Sequence, residues 1–73
     1  MESKIREMLE LRLLINRHAL MRHLYIDADN FQMAMYHQLM FLSHSYEFGA
    51  LKNSATAKEN ANYWAAMLCW DYK

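Results

Sequence analysis

Residues 30–46 read NFQMAMYHQLMFLSHSY, seventeen positions without an Asp, Glu, Lys or Arg. Phe31, Met35, Leu39, Leu42 and Tyr46 recur at intervals of four and three, the spacing of a heptad-like helical seam. Met33, Met40, Phe41 and Phe48 fall on the opposite side. A helix that is apolar on two sides and uncharged for more than four turns is expected to be covered over most of its circumference. A membrane span needs about 20 predominantly apolar residues. This stretch is shorter and carries His37, Gln38, Ser43 and His44, so it is expected at the centre of a helical assembly.

The residues around it extend the helical reading. The chain has no Val, and its β-branched residues are Ile5, Ile15, Ile26 and Thr56 alone. Strands favour the residue types missing here, while the abundant Met, Leu, Ala, Glu, Arg and Gln form helices well. Pro is absent and Gly49 is the single glycine, so helices are interrupted at few places. The spacing predicts helices over residues 3–25, 30–48 and 56–71. Ser3 is the expected cap of the first, with Glu7 near its positive end. Asp27, Asp29 and Asn30 mark the first break and offer caps for the second helix. Gly49 is expected just past the end of that helix, in the left-handed conformation. Thr56 and Glu59 match a capping box at the start of the third, with Ser54 as the competing cap. Breaks this short favour antiparallel neighbours. The expected fold is therefore all-α: a helical hairpin with a third, C-terminal helix packed on it, in one domain spanning residues 1–73.

The first helix also has more than one apolar side. Leu11, Leu14, His18, Met21 and Tyr25 form one seam, and Leu9, Leu13, Leu20 and Leu24 a neighbouring one. Ile15, Ala19 and Ile26 lie elsewhere. In the third helix Ala57, Ala61, Trp64, Leu68 and Tyr72 share a side, and Tyr63, Met67 and Trp70 form a second aromatic patch. One hairpin and one further helix cannot cover all these faces. A second copy of the chain is the expected cover, with Leu11, Leu14, Met21, Tyr25, Phe31, Met35, Leu39, Leu42 and Tyr46 in the core or the dimer interface. A polar residue such as His18 in a core seam can fix register and oligomeric state.

Chain size supports the same expectation. A domain of 73 residues buries only about 60–65% of the surface its unfolded chain exposes, and small proteins compensate with disulfides, metals or oligomerisation. Cys69 is the only cysteine, which excludes an intrachain disulfide. Residues of the AVILMFWYC set make up 55% of the chain, too many for a disordered segment. The net charge is zero with His neutral, whereas nucleic-acid binders usually carry a basic excess. Charged Glu2, Lys4, Arg6 and Glu7 follow Met1 where a signal peptide would have an apolar run. A lone thiol without an export signal leads to a cytoplasmic expectation, and the chain reads as a complete small protein.

Other chemistries find less support. His37 and His44 lie seven apart and alternate with Met33 and Met40, and His18 stands level with His37 if the chain turns at residues 27–28. Met and His together suit copper or haem iron. No HxxxH or ExxH pair, second thiolate or carboxylate cluster accompanies them, so hydrogen-bonded histidines without metal or cofactor are expected. Ser43, His44 and Ser45 are helix neighbours whose side chains diverge. Cys69 has no evident base, and a single glycine rules out a Gly-rich phosphate loop. No enzyme is expected. Tyr63, Trp64, Met67 and Trp70 are the expected contacts for a foreign protein, because Trp and Tyr are enriched in interface hot spots and Met-rich faces adapt.

Residues 27–46 resemble the second half of the sporulation-type aspartyl-phosphate phosphatases, which are short helical hairpins. Asp29, Met33, Met35, Leu39, Leu42 and Tyr46 fall where those proteins have a loop acid and an apolar seam. Tyr36, His37 and Met40 or Phe41 replace their functional Ser-Gln-x-x-x-Asp run, so no activity carries over. The Asp-Ala-Asp break is also similar to that of the Rop-type RNA-binding hairpin, whose basic RNA face is not evident here. The resulting expectation is a cytosolic, homodimeric interaction module of bacterial or phage type that regulates or inhibits another protein. The alternative is a nucleic-acid-associated regulator with Lys4, Arg12, Arg17 and Arg22 as phosphate contacts. A His/Met metal or haem module stands third.

Overall fold

The computed structural model describes residues 3–71, with side chains through Cys69. It is all-helical: α1 spans Ser3–Asp27, α2 Phe31–Ser54 and α3 Ala57–Asp71, with no strand among the described residues.

The joint between α1 and α2 is only three residues long. The Asn30 amide donates to the Tyr25 carbonyl (2.8 Å) and the Asp29 amide to the Ile26 carbonyl (3.0 Å). This is the Schellman pattern that satisfies the last carbonyls of a helix. Asp29 takes the left-handed position, with φ of 59°. Asp adopts that conformation more readily than most residues with a side chain. Asn30 closes α1 through its amide and opens α2 through its side chain, whose Oδ1 accepts from the Met33 amide at 3.3 Å. At the second break the capping box forms as expected. Thr56 donates its amide to Glu59 Oε1 (2.8 Å), and Glu59 returns its amide to Thr56 Oγ1 (3.1 Å).

Gly49 departs from expectation. It does not end α2, which continues through it to Ser54, and no glycine has a positive φ. Ala50, Leu51 and Lys52 are good helix formers, and no proline follows, so a cost of about 1 kcal/mol for one internal glycine is overcome. A Cβ built on Gly49 would meet nothing within 4 Å. Gly49→Ala is therefore expected to stabilise the chain by about 0.5–1 kcal/mol, read as a raised urea midpoint. A lowered midpoint would show that something unseen needs that space.

Contacts between α1 and α2 descend one helix as they climb the other. Tyr25 stacks on His37, His18 lies against His37 and His44, and Phe48 and Leu51 reach the cluster of Ile5, Met8 and Leu9. α3 packs chiefly on the N-terminal half of α1, where Tyr63 joins that cluster. Lys4 adds a 3.9 Å ion pair to Glu59 and donates to the Ser54 carbonyl at 3.3 Å. Partly exposed pairs of this kind contribute little, about 0–1 kcal/mol.

The Cα trace measures 43 × 26 × 15 Å. Among the described residues the buried hydrophobic ones are few: Ile5, Met8, Leu9, Leu11, Ile15, Ala34 and Tyr63. Twice as many large hydrophobic residues are exposed among the described residues.

Candidate interaction surface

The side of α2 that meets α1 is not its apolar seam. Ala34, His37, Gln38, Phe41, His44 and Phe48 are buried or half-buried, whereas Phe31, Met35, Leu39, Leu42 and Tyr46 are 64%, 65%, 61%, 51% and 82% exposed. At 3.6 residues per turn the two groups lie about a third of a turn apart. Polar pairs cross the face that is used. Arg22 donates to the side-chain Oε1 of Gln38 and lies 5.2 Å from the centre of the Phe41 ring. His18 Nδ1 is 2.8 Å from His37 Nδ1, a distance at which one ring donates and the other accepts. Burying the seam against α1 instead would leave those groups without each other.

Of the seam residues expected on α1, Leu11 is buried, Met21 and Tyr25 are half-buried, and Leu14 is exposed. Leu13, Leu20 and Leu24 are exposed as well. The partner-contact residues expected on α3 divide. Tyr63 is 1% exposed and belongs to the core, its ring 5.5 Å from that of Phe48. It faces inward because it lies on the side of α3 that meets Ile5, Met8 and Leu9. Met67 is half-buried against the same cluster, while Trp64 is exposed, with the Lys52 ammonium 5.6 Å from its ring centre. The Trp70 side chain and Tyr72 lie outside the described residues. Leu68 is 61% exposed on the line of Trp64, so α3 presents Ala57, Ala61, Trp64 and Leu68 outward.

The four basic residues expected as phosphate contacts are placed differently. Arg22 and Lys4 are engaged within the chain, Arg12 is half-buried, and Arg17 is exposed.

Three of the four histidines, His18, His37 and His44, meet between α1 and α2. The His18 ring stacks on His44 at 5.5 Å and tilts against His37 at 5.1 Å, and Tyr36 meets His37 edge-on. His44 Nδ1 lies 3.9 Å from the Glu47 carboxylate. No group of three or more His, Cys, Asp or Glu suited to a metal occurs among the described residues. Desolvation holds the His18 imidazole below the usual histidine value of 6.5, and His37, His44 and Arg17 add repulsion to its charged form. Below about pH 6.5 the unfolded chain therefore binds more protons at this position than the folded chain, and stability rises with pH there. The contribution is complete above pH 6.5 and is lost as pH falls toward the lowered folded value. Urea midpoints at pH 7.5, 6.5 and 5.5 should fall on acidification, and should fall less for His18→Gln. Identical profiles for the two proteins would count against a folded-state role for this histidine.

No helix among the described residues is long and apolar enough to cross a membrane. The chain matches no protein-family model, no curated protein and no solved structure.

Proposed function

We propose that this chain is a small protein–protein interaction module: a helical hairpin with a third helix, which pairs with a second copy of itself through α2 and acts in the cytoplasm as a regulator or inhibitor of another protein. The observation that carries the reading is the uncharged line of Phe31, Met35, Leu39, Leu42 and Tyr46, exposed along one side of α2. Aromatic side chains bury about 150–250 Å² each when covered. At the exposures seen, the five residues present on the order of 600 Å² per chain, at or above the largest apolar patch of a typical monomer. Two such faces together bury on the order of 1,200 Å², the lower limit of a stable specific interface.

The occupant is argued from charge and pattern. A face with no group charged at neutral pH has nothing with which to select a charged partner, and its heptad spacing matches that of another helix of the same kind. A second copy meets both conditions, and a two-fold axis brings the same patch of each chain together. With α2 covered, the outer line of α3 with Trp64 and Leu68 is the proposed contact for a foreign protein, while Leu13, Leu20 and Leu24 of α1 also stay exposed. Light scattering at micromolar concentration tests the first part, with an expected mass of twice the 8.8 kDa chain. A mass of one chain overturns it. The second part is tested by comparing what co-purifies with the native chain and with Trp64→Ala; identical sets would remove α3 as the contact.

A further inference from the structure

The order of residues along the α2 seam carries information about direction. Phe31, Met35, Leu39, Leu42 and Tyr46 place an aromatic residue at each end, Met and Leu inside them, and Leu39 near the middle. The pattern is close to a palindrome in both spacing and side-chain size. Pairing that runs in opposite directions sets Phe31 of one copy opposite Tyr46 of the other, and Met35 opposite Leu42, with Leu39 beside the two-fold axis. Pairing in the same direction sets each residue beside its own copy, with Phe31 against Phe31 and Tyr46 against Tyr46.

Two features of the structure separate these arrangements. The joint at residues 28–30 is flanked by Asp27 and contains Asp29, both exposed. A parallel pair brings two such acidic joints side by side, whereas an antiparallel pair puts them at opposite ends of the assembly. The dipoles of the two α2 helices also repel when parallel and attract when antiparallel. We infer that two copies associate with their α2 helices antiparallel and in this register, Phe31 against Tyr46 and Leu39 near the axis. The inference rests on the self-association proposed above and adds direction and register to it. The result is a four-helix centre with the two α2 helices innermost.

Cross-linking reads the register directly. In a Cys69→Ser background, single cysteines replace Leu39, Phe31 or Tyr46, and each protein is oxidised alone and as a Phe31→Cys and Tyr46→Cys mixture. A disulfide needs Cα atoms within about 7 Å. In the antiparallel register the two copies of position 31 are about 22 Å apart along the helix, from fifteen residues at 1.5 Å each. The expected result is a cross-linked dimer for Leu39→Cys and for the mixture, with little or none for Phe31→Cys or Tyr46→Cys alone. Efficient cross-linking of Phe31→Cys with itself overturns the antiparallel register while leaving self-association standing. A single-chain mass in light scattering overturns both. A two-chain mass with no cross-link at any of the three positions places the interface elsewhere and overturns the register.

Discussion

Tyr63→Ala is expected to remove about 3–5 kcal/mol of stability, the usual cost of deleting a buried aromatic ring. A domain of 73 residues has on the order of 4–11 kcal/mol in total at about 0.05–0.15 kcal/mol per residue, so this one substitution takes a large share. The reason lies in how α3 is held. Among the described residues, Tyr63 is the only α3 side chain that is fully buried, and it sits among Ile5, Met8 and Leu9 with Phe48 beside it. Met67 and Ala66 contribute only from the rim of that cluster. A free helix of fifteen residues is marginal in water, so α3 is expected to unravel once its anchor is gone. Circular dichroism should show a loss of helical signal equivalent to about one short helix before the main transition. Retention of full helicity and an unchanged urea midpoint would show that α3 is held by something other than this ring.

Leu42→Glu is expected to have the opposite profile, a small effect on the chain and a large one on assembly. Leu42 is about half exposed in the single chain, where such changes usually lie within about 0.5 kcal/mol. In the proposed pair it lies opposite Met35 of the second copy, and a carboxylate there is buried without a partner, a costly state. An increase in the dissociation constant of about a hundredfold or more is expected, equivalent to about 2.8 kcal/mol or more. Sedimentation or light scattering across a dilution series measures it, with circular dichroism as the check on folding. A variant that loses its helices would mean that the seam is part of the fold of each chain. A variant that remains a dimer would place the interface on another face.

These residues also show how far the sequence could be read. The three helices and both breaks were legible because capping is local: Asn30, Thr56 and Glu59 satisfy nearby backbone groups in ways that side-chain chemistry dictates. Gly49 was misleading for the same local reason, since a glycine is permitted at a helix end but does not compel one. The seam of α2 was legible as a line of residues, but not its direction. With apolar residues on two sides, periodicity could not say which side meets α1. The side that meets α1 carries pairings distant in sequence, His18 with His37 and Arg22 with Gln38, which periodicity does not reveal. Tyr63 was read as an outer contact because amino-acid type says that an aromatic residue must be covered, not whether its own chain or another covers it.

The joint at residues 28–30 has a consequence in time. Asn30 serves both helices at once, so forming that turn starts α2 where α1 ends. The contacts nearest to it close short loops, with Arg22 and Gln38 16 positions apart in sequence and His18 and His37 19 apart, while Lys4 and Ser54 at the far end are 50 apart. Loop closure costs more as separation grows, and chains rich in near contacts fold quickly. Assembly should therefore run from the turn outward like a zip, with α3 docking last because its site on Ile5, Met8, Leu9 and Phe48 exists only when both long helices have met. Without a proline in the chain, prolyl isomerisation adds no slow step. Loss of structure should follow the reverse order, α3 leaving first while the turn and the helix ends beside it persist.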